Sequence, residues 1–197
     1  MFTGSSSLSS LDVSSFDTRN VINMSNMFGE CSSLISLNLS NFNTSNVTNM
    51  TYMFYGCTKI ENLKIDNFNT SKVTDMSYMF YYCSSLKELD ITNFNTANVK
   101  GTVYMFRECT TLLKLDLSNF STINLKETYC MFYNCNSLST EITIMNPNTN
   151  CNSIFALAAT NEKAKIIVNY TEETSTLVDN IITNKNENSN IVKGCQL

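Results

Sequence analysis

The pair Met-Phe recurs at Met1, Met27, Met53, Met79, Met105 and Met131, so the chain repeats itself every 26 residues. Self-similarity at a fixed period of this size marks a solenoid: one repeat cannot bury its apolar edge alone, and stacked neighbours supply the missing contacts. The repeat must therefore be read as columns of equivalent residues before any single residue is interpreted.

Seven residues after each Met stands Leu8, Leu34, Ile60, Leu86, Leu112 or Leu138. The strand positions that follow read Leu11, Leu37, Leu63, Leu89, Leu115 and then Val13, Leu39, Ile65, Ile91, Leu117. Together they spell L-x-x-L-x-[LIV], whose last three residues alternate inward, outward, inward as a short strand requires. Beyond the strand come Phe16, Phe42, Phe68, Phe94, Phe120, then Val21, Val47, Val73, Val99, Leu125, then Met24, Met50, Met76. Their irregular spacing, with Asn, Ser and Thr between, suits an arched turn better than a long helix. The expected fold is a leucine-rich-repeat-like solenoid, a right-handed stack of coils with one short parallel strand per repeat, and a small α/β unit capping its C-terminal end. Residues 1–150 form the solenoid in this reading and residues 151–197 the capping unit.

Polar columns run beside the apolar ones. Thr18, Thr44, Thr70, Thr96, Thr122 and Asn41, Asn67, Asn93, Asn119 are placed to hydrogen-bond along the stack and to turn backbone. Cys31, Cys57, Cys83, Cys109 and Cys135 form a fifth-position column. The chain has no histidine and no close Cys pairs of zinc-binding spacing, so no metal or other cofactor is expected, and these cysteines read as buried, reduced, small apolar fillers. Cys130, Cys151 and Cys195 stand outside the column, and a Cys130–Cys151 disulfide remains open alongside free thiols.

The pattern decays after Leu138, where Glu141 takes an apolar position and the single proline, Pro147, is expected to interrupt the strand. Further on, Lys165–Tyr170 reads as a strand, Thr171 with Glu173 as a helix start, and Leu177, Val178, Ile181 and Ile182 as one helical face. Asn184–Asn190 reads as a polar turn and Ile191-Val192 as a final strand.

Composition narrows the function classes. An apolar content of 43% can build a continuous core, while a net charge of -4 with no run of Lys or Arg leaves no footprint for nucleic acid or anionic lipid. No apolar stretch is long enough to insert in a membrane, and no signal segment opens the chain. The first Met-Phe is already in pattern, so the chain reads as a fragment whose leader and N-terminal cap, if any, belong to a longer parent. No phosphate loop, nucleophile elbow or His-containing constellation is present, so binding is expected rather than catalysis.

Two surfaces are candidates for that binding. The outward strand positions, Ser10, Ser36, Asn62, Glu88, Lys114 and Asp12, Asn38, Lys64, Asp90, Asp116, vary while the core columns do not. Asp90 and Asp116 fall on successive rungs, the one carboxylate pairing that invites comparison with glycoside hydrolysis. Around the Met-Phe turn, Tyr52, Tyr78 and Tyr104 precede the Met, and Tyr55, Tyr81, Tyr82 and Tyr133 follow the Phe. Tyrosine combines a flat apolar body with a polar tip, suited to sugars and proteins alike, although stacked rings would equally shield the turn.

Written out, the repeat M-F-x-x-C-x-x-L-x-x-L-D-[LIV]-S-N-F-N-T-S-N-V-T-N-M resembles the BspA-type leucine-rich repeats of bacterial surface proteins. Residues 27–52 carry it almost complete. The S-N-F-N-T-S-N-V-T-N-M stretch is similar to the mycoplasma-lipoprotein-like branch, over residues 1 to about 140, and the tail through Gly194 resembles that branch's C-terminal ends. The resemblance implies an exported, cell-surface or extracellular protein acting in adhesion or in recognition of a protein or glycan on a host or neighbouring cell. It transfers no catalytic residues. The alternative is a structural subunit of a fibre or phage-like appendage that self-associates through its N-terminal rung.

Overall fold

A computed structural model describes residues 1–197. The fold is a parallel β-solenoid of about 6 turns, with a repeat of about 26 residues and one short helix near the C-terminus. Strand β1 (Ser36–Asn38) lies parallel to β2 (Asn62–Lys64), with Leu37 opposite Leu63 and both turned inward. β1 stops after three residues for a chemical reason. Asn38 Oδ1 accepts the N–H of Ser40 at 3.0 Å, an Asx turn that bends the chain out of the ladder.

The same device recurs at most corners, with Lys64 and Gly101 as exceptions. In the first coil Asp12, Asp17 and Asn23 accept from Ser14, Arg19 and Ser25. In the second, Asn38, Asn43 and Asn49 accept from Ser40, Ser45 and Thr51. The abundance of Asn, Asp, Ser and Thr is therefore corner chemistry. A second line of parallel pairing, which the expectation of one strand per repeat did not include, joins Asn23, Asn49, Asp75, Gly101, Glu127 and Asn150.

At the Met-Phe turn the Phe N–H of one coil donates to the next coil's carbonyl: Phe28 to Met53, Phe54 to Met79, Phe80 to Met105 and Phe106 to Met131, each at 2.9 Å. The rings follow the backbone. Phe2, Phe28, Phe54, Phe80, Phe106, Phe132 and Phe155 stack with centroids 5.3 to 5.8 Å apart and planes within 12°. Reaching this geometry requires left-handed backbone twice per turn. The residues before Met (Asn26, Tyr52, Tyr78, Tyr104, Cys130) have φ of 50° to 63°, and those three after it include Glu30, Tyr82, Glu108 and Asn134 at 58° to 63°. Gly4 and Gly56 occupy that later column at 74° and 70°, where glycine alone avoids the strain. Each non-glycine exception costs roughly 1–3 kcal/mol. The repeated inter-coil bond and the burial of a whole Phe side chain, worth about 1.5–3 kcal/mol before packing, offset it in every coil.

The threonine and asparagine columns act along the stack. Thr44 Oγ1 donates to Asn69 O at 3.0 Å and accepts from Asn69 N at 2.8 Å, so one buried hydroxyl closes two backbone groups of the next coil. Thr18 repeats this on Asn43. Asn67 Nδ2 donates to Phe42 O at 2.8 Å and Asn119 Nδ2 to Thr92 O at 2.8 Å, each reaching back to the preceding coil.

The strand does not fail after Leu138. β3 (Thr140–Ile144) is longer than β1 or β2 and pairs in parallel with β4 (Ile166–Tyr170), which pairs with β5 (Ile191–Gln196). One residue is missing between Leu138 and β3, so Ser139 pairs with Lys114 one residue early, Thr140, Ile142 and Ile144 turn inward, Glu141 turns outward, and Pro147 lies in the turn beyond. A 3-10 turn (Glu172–Thr174), capped by Thr171, leads into α1 (Ser175–Thr183). Val178 is buried, and Leu177, Ile181 and Ile182 pack on the core. That core is one cluster of 52 residues running from Val13 to Ile191.

Thr44→Val, nearly isosteric, should lower unfolding free energy by about 2 kcal/mol, because two backbone groups of Asn69 lose their partner. Thr44→Ser should lose less than half as much. Phe80→Ala should cost about 3–5 kcal/mol, since a ring stacked on both sides leaves a cavity. Urea titrations compare all three with the parent.

Candidate functional site

The repeat places Asp12, Asn38, Lys64, Asp90 and Asp116 in one exposed column on the sheet face. Ser36, Asn62, Glu88 and Lys114 form the column beside it, with Ser36 opposite Asn62 and Glu88 opposite Lys114. Two concavities lie on this face. One is bordered by Lys64, Glu88, Asp90 and Leu113, the other by Glu141, Thr143, Lys165, Ile167 and Asn169, and both share Lys114 and Asp116. Asp12 and Asn38 lie outside them. Glu141, Lys165 and Ile167 were not expected on this face, because the residue missing before β3 hides their register.

Asp12, Asp90 and Asp116 also have structural duties. Each accepts the backbone N–H two residues on, and those bonds from Ser14, Thr92 and Ser118 hold the carboxyls below their ordinary range. At Asp90 the Thr92 hydroxyl is the largest cause, and it outweighs the opposing charge of Asp116. The Asp90/Asp116 pair is thus ionised, the opposite of what a general acid requires. The ion pairs of the molecule, Asp17–Arg19, Arg107–Glu108 and Asp179–Lys193, all lie elsewhere, so Lys64, Glu88, Lys114 and Lys165 close no ion pair, although the charge of Lys114 helps to hold the Asp116 carboxyl down.

The tyrosines form a second surface. Tyr52 stacks on Tyr78 at 4.3 Å and 10°, Tyr78 meets Tyr104 edge-on at 5.0 Å, and Tyr55 stacks on Tyr81 at 5.4 Å. Tyr82 leans on Tyr81 at 4.8 Å. Two members were not foreseen. Tyr129 joins Tyr104 at 5.4 Å, displaced by one residue from the column. Arg107 replaces tyrosine between Tyr81 and Tyr133, its guanidinium 4.8 Å from the Tyr104 ring centre and 4.3 Å from that of Tyr133. Burial, followed by the neighbouring phenols, pushes the Tyr78 hydroxyl up to about 12. The rings of the ridge lean largely on one another and on Arg107, while Tyr52, Tyr82 and Tyr129 stay exposed.

The cysteine column is more than apolar filling. Cys57, Cys83, Cys109 and Cys135 donate S–H to the carbonyls of Phe28, Phe54, Phe80 and Phe106 at 2.9 to 3.2 Å. Each thiol bridges two coils at a carbonyl that also closes the turn. Burial pushes the Cys57 and Cys109 thiols up to about 12, which keeps them protonated and inert. All eight cysteines are free. Cys130 and Cys151 form no disulfide, because Cys130 sits in the left-handed ridge position while Cys151 takes a place beside Thr128, whose hydroxyl it meets at 3.5 Å. No group of three or more His, Cys, Asp or Glu is placed to hold a metal ion. No helix is long and apolar enough to cross a membrane.

Residues 1–64 and 57–169 match the model of a family described as "Mycoplasma protein of unknown function, DUF285". The chain belongs to this family. No curated protein and no solved structure matches it. The DUF285 match spans both the regular coils and β3 and β4, in keeping with the single core that joins them.

The carboxyl shifts of this DUF285 solenoid set a pH dependence. A depressed folded value contributes stability above the unfolded value and loses it as pH falls through the folded one. The urea midpoint should therefore hold on mild acidification and drop below about pH 4. Asp90→Asn keeps the turn acceptor without the titration, and should make that drop shallower.

Proposed function

We propose that this chain is a surface-exposed recognition module that binds a protein partner through its sheet face, centred on Lys114 and Asp116, and that it is not an enzyme. The observation that carries this reading is the division of labour within one repeat. Inward columns stay apolar from coil to coil, whereas the outward strand positions change charge from rung to rung and meet no internal ion pair. Solenoids commonly engage partners on such a face. Alternating unpaired charges beside the exposed Leu113 suit a partner surface that supplies counter-charges and one apolar anchor.

A protein is favoured over a glycan by what the face lacks. Sugars are held by exposed aromatic faces, and no outward strand position from Ser10 to Asp116 is aromatic. The tyrosine ridge would be the place for sugar stacking, but several of its rings already stack on one another or on Arg107. Membership of a mycoplasma family with the BspA-type pattern supports an exported, extracellular setting, with the partner on a host or neighbouring cell.

The test is binding of the labelled chain to intact cells, measured by flow cytometry. The double charge reversal Lys114→Glu/Asp116→Lys should weaken binding at least about tenfold, the range for a charge pair at an interface centre. Tyr52→Phe/Tyr78→Phe should leave it intact. Binding that survives the charge reversal and disappears when Tyr52, Tyr78 and Tyr104 become Ala would move the site to the ridge.

A further inference from the structure

We propose that Tyr52 and Tyr78 are a site of oxidative cross-linking, where a peroxide-driven one-electron oxidation joins successive coils through a dityrosine bond. Their centroid separation of 4.3 Å is the shortest of any aromatic pair in the molecule, and the planes are within 10° of parallel. The rings are held rather than merely adjacent. Both residues occupy left-handed backbone, at φ of 59° and 63°, and Tyr52 N donates to Ser77 O at 3.1 Å while Tyr78 N donates to Val103 O at 2.8 Å. Reacting groups fixed this way need no further ordering to meet. Tyr52 is also exposed, so an oxidant can reach it.

Other pairs on the ridge are less suited. Tyr78 and Tyr104 meet at 80°, which turns their ortho carbons away from one another. Tyr81 and Tyr104 lie under the Arg107 guanidinium, at 5.7 and 4.8 Å, and a fixed positive charge opposes removal of an electron from a ring. Tyr52 and Tyr78 make no such contact. A thiol beside a phenoxyl radical would quench it by giving up hydrogen, but the nearby column cysteines Cys57 and Cys83 are buried and donate inward to Phe28 and Phe54.

The step balances with hydrogen peroxide and a haem peroxidase as oxidant. Each phenol loses one electron and one proton, and the two radicals couple between the carbons ortho to oxygen. The ortho hydrogens then return the rings to phenols. Two hydrogen atoms leave the protein in all, and one peroxide becomes two waters. The bond closes a loop between the second and third coils of a stack whose cysteines are all free, so it would be that stack's covalent rivet.

The full chain is treated with peroxide and haem peroxidase, then analysed by intact mass, dityrosine fluorescence and peptide mapping. Expected are a monomer lighter by two hydrogens, a cross-linked peptide containing Tyr52 and Tyr78, and a higher urea midpoint than the untreated chain. Tyr78→Phe, shown to be folded by circular dichroism, should lose most of the fluorescence, and Tyr104→Phe should keep it. Absence of reaction, a link mapped to any other pair, a link found only between chains, or an equal yield from Tyr78→Phe overturns the proposal.

Discussion

The structure depends on one hydrogen-bonding rule at the Met-Phe turn. Alternate residues donate forward: Asn26 to Thr51 at 2.9 Å, Phe28 to Met53 at 2.9 Å and Glu30 to Tyr55 at 2.5 Å. The residues between them, Met27, Gly29 and Cys31, donate back within their own coil to Met24, Asn26 and Phe28. A slip of one residue would turn forward donors into backward ones and leave a row of buried groups unpaired. The register is therefore fixed at each contact, and like residues must lie over like. Stacked phenylalanines, threonine bridges and thiol bonds are consequences of that register, and the left-handed residues are what the alternation demands of the backbone.

Much of this was legible because a column is its own evidence. Leu34, Ile60, Leu86 and Leu112 had to be core, and Thr44 and Thr70 had to face the next coil, since no other arrangement explains the period. What escaped did so for physical reasons. The pairing through Asn23, Asn49, Asp75, Gly101 and Glu127 uses residues of poor strand propensity, so its β character comes from the stack. A cysteine column looks the same whether its thiols donate or merely fill space, and the carbonyl of Phe28 becomes visible only in three dimensions. β3 was misread because one residue is missing between Leu138 and the strand, and a period-2 pattern shifted by one puts Glu141 where an apolar side chain belonged. Arg107 stayed hidden as a single exception among tyrosines, although a planar cation can take a ring's place in a stack.

The same register separates constrained columns from free ones. Side chains pointing inward are constrained by two neighbours each, and any change must be accommodated in both directions along the ladder. Outward strand positions meet only solvent and their lateral neighbours, so Lys64 can follow Asn38 and Asp90 can follow Lys64 without disturbing the core. Even there the freedom is partial, because Asp90 and Asp116 also anchor turns. The adjoining Glu88 and Lys114 carry no such duty, and they are positions that can change at least structural cost. The tyrosine ridge is less free, since a side chain at φ near 60° is fixed by the backbone before it meets anything outside.

The last coil departs from this logic. An arch in the middle of the stack cannot satisfy its own N–H groups and borrows carbonyls from the next coil, as Thr102 does from Glu127 and Thr128 from Asn150. In the segment between β4 and β5 the arch is replaced by α1, whose backbone bonds close within the helix. Lys193 fastens the helix to the sheet through Asp179 at 2.6 Å and lies 4.2 Å from the centre of the Tyr170 ring. Thr174, at the helix entry, returns its hydroxyl to Ile144 O at 2.8 Å. Replacing an arch that borrows hydrogen bonds with a helix that does not removes the demand for a further carbonyl row at that position. The departure from the repeat in sequence and the change of hydrogen-bond economy in structure are therefore one event.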